Sequence, residues 1–371
     1  MARVWQRKPL LIRQAWVAWC NPLAAEELAG LACEADVEAR LVVRDQHGWR
    51  LEHGPLQAQR FARLPRRQWT LLVQAVDHAV PAVAALLNAF RFVPDWRIDD
   101  VMVSYAADGG SVGPHFDQYD VFLVQGLGQR RWQVGPRCDA DTPLVPHPDL
   151  RLLAGFEVQH DWLLNAGDIL YLPPGYAHHG VGVGEHCMTY SIGFRAPARA
   201  ELIGQWADAV LETLREDDRY SDAGLTPPAN AGELAATTLA RLHGMVSAAL
   251  ADRQAFAAWF GRYATERKYP ELKDRPTRAM TTAQLEKRLL RGARLMRHPA
   301  SRYAFVRAKH NVQLFVDGEV FTCRGPAARF AERLCGDASW RIGTADVRAA
   351  ARGDLALVLF NFGALLFDDA R

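Results

Sequence analysis

The sequence has no C-x-x-C pair, no apolar run long enough to cross a bilayer, no internal repeat and no marked excess of one charge. Its six cysteines, Cys20, Cys33, Cys138, Cys187, Cys323 and Cys335, are scattered through 371 residues. That spacing excludes a disulfide-stapled small domain and fits free thiols in a reducing compartment. The longest apolar stretch, 79–87, is nine residues long and contains Pro81, whereas a spanning helix needs about 20. The N-terminus is basic, but it places Trp5, Arg13 and Trp16 where a secretory leader needs an apolar segment. The chain therefore reads as cytoplasmic, with no membrane partner. Its 44 basic and 42 acidic residues leave a net charge of +2, which by itself argues for no nucleic-acid partner.

What is present is a globular composition, with 49% hydrophobic and 10% aromatic residues. At roughly 150 residues per domain the length suggests two or three domains. The charge is unevenly spread. Residues 261–310 hold 14 Lys/Arg against 4 Asp/Glu, a balance of +10 that leaves −8 for the rest. Such a block is either a second partner surface or a solvated helical face.

Three textures follow one another. Residues 68–73 form a strand candidate and 80–90 a helix. From 96 to 195, short β-like runs (VMVSYA, DVFLVQG, RRWQVG, CMTYSIGF) are separated by Gly and Pro, which predicts a small β-barrel or sandwich. After Pro197 the apolar period turns helical: Leu202, Trp206, Ala209, Val210 and Leu214 recur near 3.6 residues. Residues 233–263 read as one or two more helices. In the last part, Thr281 caps a helix running to about Arg297, and Asp317-Gly318 closes a hairpin over 311–323. A helix follows at 326–334, and 355–367 is apolar and strand-like. The predicted division is 1–200 for the β-rich domain, 201–275 for a helical segment and 276–371 for a winged-helix-like module. Trp206, Phe256, Trp259 and Phe260 make the helical segment a candidate homodimer surface, although an internal core explains them equally.

The chemistry concentrates in Gly113-Pro114-His115-Phe116-Asp117. On a strand, His115 and Asp117 would share a face, and an imidazole with a carboxylate is two thirds of the 2-His-1-carboxylate set of non-haem iron. Alone, H-x-D is usually a hydrogen-bonded pair with no metal. It gains weight from the segment 167–179, GDILYLPPGYAHH, which sets a strand, a rigid turn and histidines at a spacing that a barrel can close. His178 and His179 point opposite ways if extended, so one of them is available; His178 is preferred. His147, His160 and His186 read as loop or structural residues. Iron chemistry with dioxygen commonly draws electrons from 2-oxoglutarate, whose far carboxylate needs a buried cation. Arg130, Arg131 and Arg195 are the candidates, with Arg130 best placed and Ser104 able to add a hydroxyl.

The runs VSYAADGGSVGPHFDQYDVFLVQGLGQRRWQVG, GDILYLPPGYAHHGVG and MTYSIGFRAP resemble the JmjC-type, 2-oxoglutarate-dependent ribosomal oxygenases over about 100 residues. The resemblance is strongest to bacterial members that hydroxylate an arginine of the sixteenth large-subunit ribosomal protein. It implies an α+β chain: a double-stranded β-helix (cupin/JmjC) barrel, a helical dimerisation segment and a C-terminal winged-helix-like module. It further implies His115, Asp117 and His178 as Fe(II) ligands, Arg130 and Ser104 as 2-oxoglutarate contacts, and hydroxylation at the side-chain β-carbon. Two positions depart from the pattern: His179 follows the third ligand where an acidic residue is expected, and Thr189 stands where Asn is more familiar.

Charge bears on the substrate. Residues 101–200 hold ten Asp/Glu and six Lys/Arg, so Asp108, just before the H-x-D, is a candidate for holding a substrate guanidinium, with Asp120 second. Asp108 equally suits the first position of a tight Asp-Gly-Gly turn. Three readings compete with arginine hydroxylation. They are histidine hydroxylation of another ribosomal protein, a non-enzymatic nucleic-acid-binding regulator with a metal-binding barrel, and a zinc or nickel cupin.

Overall fold

The computed structural model describes residues 3–271, 276–349 and 354–368. They form two compact units. The first runs to Ala196 and takes in the short stretch beginning at Lys268 and His298–Ala300; the second comprises Pro197–Arg267, the chain up to Arg297 and the chain from Ser301 onward. No helix among the described residues is long and apolar enough to cross a membrane.

The first unit is built on nine antiparallel strands: β1 (Leu10–Ile12), β2 (Ala39–Asp45), β3 (Gly48–His53), β4 (Trp69–Val73), β5 (Ile98–Ala106), β6 (Asp120–Arg137), β7 (His160–Asn165), β8 (Ile169–Leu172) and β9 (Tyr176–Phe194). Their order is β1-β8-β6-β9-β5-β4-β2-β3, with β7 on the free flank of β6. Two long strands, β6 and β9, run through the middle of the sheet. β6 pairs with β9 from Asp120↔Phe194 to Arg137↔Tyr176, with register shifts at Gln125/Leu127, Leu127/Gln129 and Val134/Arg137. Each shift bends and twists the ribbon, so one half of β6 meets β8 and the other half meets β7. Alternation puts Val101, Val103, Val124, Tyr190 and Ile192 into the main core, where all are fully buried. Val121, Leu123, Trp132, Val134 and Leu170 form a second cluster.

In the second unit, helices Arg199–Leu211, Ala236–Leu250 and Arg253–Thr265 precede helix Thr282–Leu290. Three strands follow as an antiparallel sheet: Tyr303–Arg307, Val312–Val316 and Glu319–Cys323. Asp317 (φ 50°) and Gly318 (φ 83°) make the left-handed pair of the anticipated hairpin.

Three expectations need correction. The helix from Thr281 stops at Leu290 because Gly292 turns left-handed (φ 97°); Leu295–Arg297 then pairs as a strand with Leu365–Phe367. The apolar run 355–367 is mainly helical, over Asp354–Phe362, and only its end is a strand. A run that is apolar all round carries no period to separate a buried helix from a strand. The segment 80–90 breaks into a turn of α-helix at Pro81–Ala84 and a 3-10 stretch at Ala85–Phe90.

Candidate metal centre

His115 and Asp117 lie in the loop between β5 and β6, not on a strand. Backbone bonds fix that loop. The His115 N–H donates to the His178 carbonyl (3.0 Å) and the His178 N–H to the His115 carbonyl (2.8 Å), an isolated antiparallel bridge joining the two histidines. The Gly175 N–H, in the Pro-Pro-Gly turn, donates to the Asp117 carbonyl (2.7 Å). Gly113 (φ 82°) packs so closely that a Cβ there would sit 2.5 Å from Leu152 Cδ2, so a larger residue would have to displace Leu152 and accept a left-handed backbone.

One ligand atom from each of His115, Asp117 and His178 can be chosen so that all lie within 4.8 Å of one another. His178 Nε2 is 3.6 Å from Asp117 Oδ2. Each imidazole has Nδ1 against a backbone carbonyl, Gly113 for His115 (2.9 Å) and Tyr176 for His178 (2.9 Å). That arrangement places the proton on Nδ1 and leaves Nε2 as the lone-pair donor. Burial, then the neighbouring His115, pushes His178 down to about 4, so it stays neutral at physiological pH. Two imidazole nitrogens and a carboxylate converging in this way suit a divalent transition metal. His179 turns away toward Phe156, with ring centroids 6.0 Å apart.

The three side chains line a cavity of about 650 Å³ that also receives Ser104, Leu123, Arg130, Trp132 and Ser191. Arg130 is the notable member. It is buried, and Nη1 donates to Ser104 Oγ (2.9 Å) and to Thr189 Oγ1 (3.2 Å). Its Nε has no partner among the described residues. Burial pushes the guanidinium pKa down, but the group remains a cation at any accessible pH. A buried cation held by hydroxyls with a donor to spare suits a carboxylate. The strands explain the cluster: Ser104, Thr189 and Gln125 occupy one row across β5, β9 and β6. Thr189 donates onward to Gln125 Oε1 (3.0 Å). Sequence reading passed over Gln125, although a polar residue amid the apolar run VFLVQ was the available signal. It also passed over Lys268, whose Nζ bonds Asp99 (3.0 Å) and Asp100 (2.8 Å) at the cavity wall.

Other candidates fall elsewhere. Arg131 points outward to Asp161 (3.4 Å), while Arg195 lines the cavity. Asp108 is not brought to the cavity: it accepts the Gly184 N–H (2.9 Å) and pairs with Arg67 (2.8 Å), so its carboxylate is committed to those two partners. Asp120 is buried and taken up by Tyr171 Oη (2.6 Å), Gln6 Nε2 (2.8 Å) and Arg97 (3.1 Å). His147 sits in a loop beside the Trp49 carbonyl, His160 opens β7, and His186 meets Tyr105 Oη (2.8 Å).

Comparison with known proteins matches residues 85–202 to the JmjC domain family and 248–356 to the ROXA-like winged helix family. The ribosomal protein uL16 3-hydroxylase of Escherichia coli is 40% identical over 269 residues, covering 72% of this chain and 71% of that one. The chain belongs to the JmjC ribosomal oxygenases. The E. coli ribosomal oxygenase YcfD, solved in complex with cobalt and 2-oxoglutarate, aligns with a TM-score of 0.86 at 33% identity, over 99% of this chain and 96% of that one. Ribosomal oxygenase 1 of Danio rerio is 32% identical over 127 residues, 33% of this chain and 23% of its own. For this ribosomal oxygenase, the α+β reading of a JmjC barrel followed by a winged-helix module is therefore correct.

Proposed function

We propose that this ribosomal oxygenase is an Fe(II)- and 2-oxoglutarate-dependent hydroxylase of the large-subunit ribosomal protein uL16, acting on the β-carbon of an arginine. The observation that carries the reading is the pairing, in one cavity, of the His115–Asp117–His178 donor set with the buried, carboxylate-free Arg130. Bound together, iron, 2-oxoglutarate and dioxygen supply the oxidising chemistry that hydroxylates an unactivated C–H bond.

The chain's own residues do the rest. His115, Asp117 and His178 hold the metal and, as three ligands, leave positions free for small molecules. The two backbone-anchored imidazoles arrive already oriented. Arg130 fixes the far carboxylate of 2-oxoglutarate, with Ser104 and Thr189 setting the guanidinium plane. Trp132 and Leu123, both buried, keep the floor of the cavity dry. Asp149, on the cavity wall, offers a carboxylate for a basic side chain in place of Asp108.

We assign 201–275 to homodimerisation. Leu239, Leu242, Val246 and Leu250 recur at helical spacing on helix Ala236–Leu250, and all are exposed in the single chain. Residues 276–371 form the winged-helix-like part and 1–200 the catalytic domain. A ribosomal-protein substrate supports a cytoplasmic enzyme.

The test is incubation of the protein with Fe(II), 2-oxoglutarate and a uL16 peptide, read by tandem mass spectrometry. One added oxygen on the arginine, absent in His115→Ala, is the expected result. Oxidation of a matched peptide carrying histidine at that position, with the arginine peptide untouched, would overturn the arginine assignment. Absence of succinate in the presence of bound iron would overturn the reaction.

A further inference from the structure

A second concavity in the first unit, of about 610 Å³, shares no lining residue with the metal cavity. Six of its wall residues are arginines: Arg44, Arg50, Arg60, Arg63, Arg66 and Arg67. They come from β2, from β3, from helix Ala58–Ala62 and from the segment after it, so the fold gathers them from separate elements. Three are matched. Arg50 pairs with Asp45 (2.7 Å), Arg60 with Glu52 (2.6 Å) and Arg67 with Asp108 (2.8 Å). Arg44, Arg63 and Arg66 are exposed and form no ion pair among the described residues. Among the described residues Asp45 is the one acidic wall residue, and it is already taken.

An ordinary solvated surface intersperses its charges. Here three unmatched guanidiniums share one concave wall with three that are pinned in place, and a concave wall of one sign focuses its field. Guanidinium forks suit phosphate oxygens bidentately. Arg44 also lies over the Trp49 ring, 5.2 Å from its centroid, a cation–π contact that holds the guanidinium at the groove wall. The groove is braced against the loop that leads to the metal ligands: Arg67 holds the Asp108 carboxylate, and the Gln68 N–H donates to the Asp108 carbonyl (2.9 Å).

We propose that this arginine groove holds the phosphate backbone of single-stranded RNA. The choice of RNA over other polyanions rests on the ribosomal-substrate reading above; the anion site itself does not. The groove lies on the β-rich unit, outside the basic block at 261–310 that the charge distribution singles out.

The test uses the full-length protein and a fluorescein-labelled 20-nucleotide RNA, with anisotropy measured across a salt series and no iron or 2-oxoglutarate present. Binding is therefore read independently of hydroxylation. The expected result is measurable affinity that falls with salt. Arg63→Glu/Arg66→Glu should weaken it by about tenfold or more. The same double change should flatten the log–log salt slope by about 1.4, at about 0.7 for each of two phosphates no longer neutralised. Arg63→Lys/Arg66→Lys should keep most of the affinity, and equal melting temperatures for the variants would show that the fold is intact. No RNA binding, or binding indifferent to the double reversal, would overturn the proposal. So would equally tight binding of polyglutamate, which would make the groove a site for an acidic protein.

Discussion

Replacing Arg130 with Met tests the cosubstrate site most directly. Methionine fills much the same volume but removes a buried cation whose described hydrogen-bond partners are the hydroxyls of Ser104 and Thr189. Hydrogen bonds to charged groups are worth about 1.5–3 kcal/mol each, so giving up a two-pronged hold on a carboxylate removes about 3–6 kcal/mol. The KM for 2-oxoglutarate should rise by about two to four powers of ten. The same change acts in the opposite direction on the protein without cosubstrate, because an unpaired buried cation is costly. Arg130→Met should therefore raise the melting temperature of the cosubstrate-free protein while abolishing the further rise that 2-oxoglutarate gives the wild type by binding the folded state. Steady-state kinetics and a thermal-shift titration read both effects. An unchanged KM, or a variant still stabilised by 2-oxoglutarate, would refute the assignment of Arg130 as the carboxylate anchor.

Asp117→Asn should lower affinity for Co(II), a spectroscopic substitute for iron, by at least about tenfold, read by absorbance titration; undiminished affinity would remove Asp117 from the ligand set. Gly113→Ala forces a Cβ into Leu152 at a left-handed φ, and should cost about 1–3 kcal/mol of stability on denaturant unfolding. Asp77 is raised to about 7 by burial and then by the nearby Asp100 charge. An acid whose folded pKa is raised stabilises fully below its unfolded value of about 3.9, and that contribution is lost as pH climbs from about 4 to 7. Asp77→Asn should remove this slope, so that variant and wild-type melting curves diverge most above pH 7. Leu242→Asp should convert a dimer to a monomer in light scattering if helix Ala236–Leu250 is the interface; a persisting dimer would move the interface elsewhere.

The metal set was legible because its signal is local: H-x-D and the Pro-Pro-Gly-x-x-His turn each lie within a few residues. The route to it was not. Strand alternation predicted a shared face for His115 and Asp117, whereas a loop pinned by the His115–His178 backbone bridge does the work, and bridges between distant segments leave no trace in composition. Asp108 shows the reverse failure. Its position before the motif suggested a substrate role, but its carboxylate is taken by two partners distant in the chain, the Gly184 N–H and Arg67, which no local pattern announces. The hairpin at Asp317-Gly318 was readable because only a few residue types accept those angles. The helix at Asp354–Phe362 was not, because it is apolar on every side.

The long β6–β9 ladder has one more consequence. Val134 lies opposite His178, and Arg130 opposite Gly182. A metal ligand and the proposed carboxylate anchor are thus spaced by four rungs of one ribbon, about 13 Å of strand. That ribbon acts as a fixed ruler. An insertion in either strand would slip the register and spoil both anchors at once, so the length of the small-molecule cosubstrate is hard to alter by stepwise change. The loop spanning 138–159, which sends Asp149, Leu150, Arg151 and Leu152 to the cavity wall, lies outside the ruler. Leu152 and Leu153 tie its inner end to Gly113 and Pro114, but the tip, 146–151, can vary without moving either anchor, which leaves the enzyme free to exchange one protein substrate for another while its oxidative chemistry stays in place.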